Sequence, residues 1–147
     1  MNKDIKTLSK WLVTKGNDSL LRIQKLLFFI RVCELENNDT DNSYFKHNHN
    51  FQAWMYGPVS KESFSFLQPW FNETNELEAY ILDKNEMKEI DDRYLKYYNQ
   101  YDKYSTRELV DLSHKNKAWI IARGNCGVNE PCTNFLEEDS TFTEFEN

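Results

Sequence analysis

The amino-acid sequence predicts a mainly α-helical fold, a single compact helical domain with at most one short β-hairpin or strand pair. Three observations carry that expectation. Apolar residues recur at three- and four-residue steps in the segments that begin near residues 4, 20 and 84. Helix-capping residues stand at several boundaries: Asp18 or Ser19, Asp83 with Glu86, and Ser105 with Glu108. Aromatic residues that favour extended structure gather between Tyr44 and Trp54, the place for a strand pair.

The first helix repeats Ile5, Leu8 and Leu12, sets Trp11 beside that face, and stops at Gly16-Asn17. Its lysines, Lys3, Lys6, Lys10 and Lys15, read as a solvated outer face before they read as a partner-binding stripe. The second, residues 20–36, places Ile23, Leu26, Leu27, Ile30 and Cys33 on one side and Phe28 and Phe29 on others. A helix that is apolar most of the way round must be surrounded, so this is the expected central helix. Lys25 and Arg31 interrupt it, and either snorkel outward or pair with carboxylates of a neighbouring helix.

A polar loop over residues 37–42 comes next, and then Tyr44-Phe45 and Phe51-Gln-Ala-Trp54 flank a His-Asn-His-Asn run that reads as a hairpin tip. The rest of the chain is expected to organise around Phe51-Gln-Ala-Trp-Met-Tyr-Gly-Pro-Val-Ser60. Gly57 suits a backbone that a side chain would forbid, Pro58 pushes it away from the helical region, and Ser60 caps the next helix. That third helix runs through Phe64 and Leu67, with Pro69 near its end and Trp70 and Phe71 after it. Residues 73–76 are a polar connection, and Tyr80-Ile-Leu82 a short apolar piece. The capping box at Asp83 opens a long helix along Met87, Ile90, Tyr94, Tyr97 or Tyr98, and Tyr101. The one at Ser105 opens a short helix through Leu109 and Leu112 to His114. A last helix, Ala118-Trp-Ile-Ile-Ala-Arg123, closes at Gly124. Beyond it the sequence is loop-rich, with Phe135, Leu136, Phe142 and Phe145 for packing.

At 147 residues the chain fits one domain, 1–147, with neither an internal repeat nor a linker. Its 39% hydrophobic residues include 15% aromatics, while mean hydropathy is −0.79, so large rings supply much of the core. No apolar run approaches the ~20 residues of a membrane span and no signal region is evident, which places the protein in the cytoplasm. A net charge of −6 argues against nucleic acid as a partner.

Chemistry is sparse. Cys33, Cys126 and Cys132 are expected to be free thiols. Five residues separate Cys126 from Cys132, too wide for a zinc knuckle with His47 and His49. A Cys-His nucleophile would need one of these thiols near His114 with Asp111 to orient it, and no glycine-flanked nucleophile motif accompanies any of them. The glycines, at 16, 57, 124 and 127, are too scattered to cradle phosphate. No catalytic residue, cofactor or metal is therefore assigned.

Three pieces in order, Ile23-Gln-Lys-Leu-Leu-Phe-Phe29, then Phe51-Gln-Ala-Trp-Met-Tyr-Gly-Pro-Val59, then Tyr104-Ser-Thr-Arg-Glu-Leu-Val-Asp-Leu-Ser-His114 with Ala118-Trp119 and Ala122-Arg123, resemble the Panacea domain of SocA-like antitoxins and phage-associated GepA-like proteins. The resemblance covers residues 20–123. It implies a helical domain that binds and neutralises a protein toxin encoded nearby, or an adaptor that hands the toxin to a protease, without enzymatic activity. The alternative is a small enzyme or nucleic-acid-binding regulator on the same domain. The motif positions carried over are Lys25, Ala53, Trp54, Tyr56, Gly57, Pro58, Val59, Leu109, His114, Trp119, Ala122 and Arg123. Each has a structural reading, with Trp54, Trp119 and His114 interlocking the core. Lys117-Ala118 precedes Trp119 where the family has proline, which implies a looser turn there. For surface contact the candidates are Tyr56, Tyr94, Tyr98 and Trp70, since tyrosine and tryptophan anchor interfaces.

Overall fold

The computed structural model describes residues 2–72 and 80–147. Along them run α1 (Ile5–Thr14), α2 (Leu20–Glu36), β1 (Gln52–Trp54), β2 (Gly57–Val59), α3 (Lys61–Asn72), α4 (Lys84–Tyr101), α5 (Thr106–Ser113), α6 (Lys117–Arg123) and a 3-10 turn at Ser140–Thr143. The strands form one antiparallel pair. The polar connection expected over residues 73–76 lies outside the described residues.

Each helix begins where a side chain can take its free amides. Asp4, Ser19, Asp83, Ser105 and Asn116 accept from the amides of Thr7, Arg22, Glu86, Glu108 and Trp119, and both expected capping boxes are formed. Ser60 does the same for α3, accepting from the Ser63 amide at 3.2 Å. Pro69 sits inside α3, toward its end. Helix α2 is the centre. Its residues from Ile23 to Glu34 are all buried, because α1, α3, α4, α5, β2 and the 3-10 turn all pack on it. Phe28 meets Phe29, Phe51 and Phe142 edge-on at 5.1, 5.6 and 5.2 Å, so rings fill the core as the composition requires.

Burial of a helix on all sides forces its charges to find partners inside. Glu34 is fully buried. One carboxylate oxygen accepts from Arg31 and Ser43 at 3.0 and 2.8 Å, the other from Arg93 and the Tyr94 hydroxyl, each at 2.7 Å. Arg31 also pairs with Glu138 at 2.8 Å. Its carboxylate partners thus come from its own helix and from the C-terminal segment, whereas Lys25 meets no carboxylate among the described residues and does not snorkel.

The strand pair lies further along the chain than the aromatic pattern suggested. Gln52 faces Val59, Ala53 faces Pro58 and Trp54 faces Gly57, so Met55 and Tyr56 make the turn. The expected partner strand, Tyr44-Phe45, is buried loop instead. The Tyr94 hydroxyl holds the Tyr44 amide at 2.9 Å, and Asn50 closes the His-Asn-His-Asn run by bonding both backbone groups of Lys46. Ala53 sends its N–H to the Asn134 carbonyl at 2.8 Å. The Ala53–Pro58 pair therefore exchanges no ladder bond, and the missing proline N–H costs nothing there.

The C-terminal segment extends this pairing. Leu136 donates to Phe51 at 2.9 Å, and further on Lys117 donates to Glu144 at 2.9 Å and Glu146 to Lys115 at 2.8 Å. The turn before Trp119 is accordingly not loose. Buried Asn116 caps α6 and donates to the Phe142 carbonyl at 2.9 Å. The cysteine expectation holds for Cys33 alone. Cys126 and Cys132 form a disulfide with their Cα atoms 5.9 Å apart, because the intervening loop curls back over the buried Arg123 guanidinium, which donates to the carbonyls of Gly127, Val128 and Glu130.

Candidate functional site

The hairpin between α2 and α6 is held by side chains rather than by its own short ladder. Four of its backbone carbonyls each receive a donor from a different side chain on α2, on α6 or at the C-cap of α5. Arg123 reaches Ala53 at 3.2 Å, Trp119 reaches Trp54 through Nε1 at 2.9 Å, His114 reaches Met55 through Nε2 at 3.2 Å, and Lys25 reaches Pro58 at 2.6 Å. A buried carbonyl without a donor is costly, and a two-residue turn with three-residue strands cannot supply enough of its own. Because a carbonyl only accepts, Nε2 of His114 carries the proton. The His114 ring stacks on Trp119 with centroids 4.7 Å apart, and burial lowers its pKa.

The motif positions thus gather in one place. Ala53, Val59 and Leu109 are buried, Trp54 packs on Phe64 at 4.9 Å, and Ala122 accepts from Asn134 at 3.0 Å. Gly57 adopts φ +108°, the left-handed side that glycine allows. It lies against Lys25: a Cβ there would stand 2.9 Å from Lys25 Cε. Desolvation lowers the Lys25 pKa from 10.5 to about 7, since no anion compensates the loss of water.

Tyr56 alone of these positions is broadly exposed, at 59%. Beside it opens a cleft of about 620 Å³. Its lining comes from Leu20, Leu21 and Gln24 of α2, Phe64 of α3, Trp54, Met55, Tyr56 and Val59 of the hairpin, and Asn129, Pro131, Cys132 and Thr133 of the disulfide loop. None of these side chains carries an ionisable group except the Tyr56 phenol, since Cys132 is held in the disulfide. Of the other contact candidates, Tyr94 and Tyr98 are buried and belong to the core, while Trp70 is half-buried against Phe71 and Tyr80. The cleft itself was not foreseen. Its signal is Leu21, an apolar residue off the buried stripe of α2 that remains 37% exposed.

A Cys-His pair is not assembled here. Cys126 and Cys132 are bonded to each other, and the Cys33 thiol, pushed up to about 12 by burial, faces Gln100 at 3.9 Å. Among the described residues no group of three or more His, Cys, Asp or Glu side chains could hold a metal ion, and no helix is long and apolar enough to cross a membrane.

The arrangement defines a class: a helical domain that displays one side-chain-held hairpin beside an apolar cleft. The chain belongs to the family described as antitoxin SocA-like, Panacea domain, which it matches over residues 23–120. That span takes in α2 from Ile23 onward, the hairpin, α3, α4, α5 and the first half of α6, and stops short of Arg123 and the disulfide loop. Among curated proteins and solved structures no match is found.

Proposed function

We propose that the protein is a cytoplasmic, non-enzymatic antitoxin that binds a protein toxin encoded beside its gene and neutralises it by contact, with the hairpin turn and the adjoining cleft as the contact surface. Membership of the antitoxin family carries this reading. The geometry adds support: the motif side chains are spent on the hairpin backbone, and what that backbone displays outward is Tyr56 and an apolar cleft. Uncharged apolar surface with an aromatic at its rim suits a protein partner.

Co-expression with the neighbouring gene tests it. Cells should survive the toxin when this chain is present, and Tyr56→Ala should weaken toxin binding by about tenfold or more while leaving the melting temperature unchanged. Toxin abundance in the same cells separates blocking from delivery to a protease. A neighbouring product that is harmless alone, or toxicity that persists beside folded protein, would remove the assignment.

A further inference from the structure

We infer that the Cys126–Cys132 disulfide is a redox control on the apolar cleft, closing one part of its lining when oxidised and releasing it when reduced. The inference rests on the cleft being the contact surface named above. Cys132 itself lines the cleft, together with Asn129, Pro131 and Thr133 of the same loop. Otherwise only hydrogen bonds hold the loop: the Arg123 guanidinium donates to the carbonyls of Gly127, Val128 and Glu130, the last at 3.1 Å, the Glu130 carboxylate accepts from the Gly127 amide, and the Asn134 side chain donates to Ala122. At its far end Asn134 pairs with β1. Among these ties the disulfide is the one covalent cross-link, and it joins the cleft-lining Cys132 to Cys126, just beyond the end of α6.

The two sulfurs are unequally accessible. Cys132 is 3% exposed, whereas Cys126 is only partly buried. A thiolate of an external dithiol therefore attacks Sγ of Cys126, forming a mixed disulfide and expelling Cys132 as a thiolate. The second thiol of the reductant, as thiolate, then attacks its own sulfur in that mixed disulfide and expels Cys126. The reductant leaves as a cyclic disulfide, two electrons pass to the protein, and both cysteine thiolates take up protons. Exchange with a low-molecular-weight disulfide such as oxidised glutathione runs the reaction back, yielding two molecules of the reduced thiol.

The test uses the full chain, treated either with oxidised glutathione or with dithiothreitol, and reads the affinity of 1-anilinonaphthalene-8-sulfonate by fluorescence. Leu21→Glu identifies the share of that signal belonging to the cleft. Thiol counting under denaturing conditions should find one thiol after oxidation, Cys33, and three after reduction. The oxidised protein should bind the probe about fivefold or more tightly than the reduced one. The Cys126→Ser/Cys132→Ser variant should match the reduced protein in either buffer. Equal affinities in the two states, or three thiols after oxidation, would overturn the inference, and both readings come from the natural chain even if the variant fails to fold. The toxin assignment is separable. If toxin is neutralised equally in both states while probe affinity does not change, the redox control falls and the antitoxin reading stands. If no toxin is neutralised in either state, the probe result still decides the switch.

Discussion

Gly57→Val puts a branched side chain where the structure has room for none. Two costs add. At φ +108° an L-residue is strained by ~1–3 kcal/mol. The new Cβ would also stand 2.9 Å from Lys25 Cε and press on Ser113 Oγ. Neither neighbour yields freely: Lys25 is fully buried and tied to Pro58 at 2.6 Å, and Ser113 donates to Val110 at 2.7 Å. Overpacking of that kind costs another ~1–3 kcal/mol. The sum, about 2–6 kcal/mol, corresponds to a fall in melting temperature of roughly 6–18 °C for a domain of this size. Thermal and urea unfolding followed by circular dichroism read it directly. Gly57→Ala should show most of the same loss, because the first carbon already meets both neighbours. An unchanged melting temperature in both variants would refute the reasoning, and a loss of toxin binding without a loss of stability would place Gly57 in the interface instead.

Lys25 should make stability depend on pH. The unfolded chain holds the proton up to 10.5 and the folded one only to about 7. Between those values the unfolded state binds more protons, so stability rises with pH, and the penalty is fully present below pH 7. Lys25→Met should remove a rise of about 2–3 kcal/mol between pH 7 and 9, measured by urea unfolding across that range; an unaltered slope would assign it elsewhere. Glu34→Gln should cost about 3–5 kcal/mol, because Arg31 and Arg93 lose the buried anion that both contact. A change below 1 kcal/mol in urea unfolding would show that the arginines find other partners. Trp119→Phe keeps the ring and deletes the Nε1 donor to Trp54, so unfolding should come about 1–2 kcal/mol earlier, and equal stability would mean that Trp54 is satisfied another way.

What the sequence determined by itself is what local physics governs. Helix starts are set within a turn by one side chain and three amides, which is why Ser19, Asp83 and Ser105 were readable as caps and are caps. The near-complete apolar surround of α2 predicted that it would be enclosed, and it is buried from Ile23 to Glu34. The motif residues, too, stood out in order before their positions were known. Which of them touch was decided only by tertiary structure, since Arg123 meets Ala53 and Trp119 meets Trp54 across 70 and 65 residues of chain. Tertiary structure also brought Asn134 and Leu136 of the C-terminal segment to pair with Ala53 and Phe51, a long-range bond pattern that carries no local periodicity. The same reason explains the cysteines. Their spacing gave no reason to join them, and it is the guanidinium of Arg123, collecting three carbonyls of the loop between them, that brings Cys126 and Cys132 together.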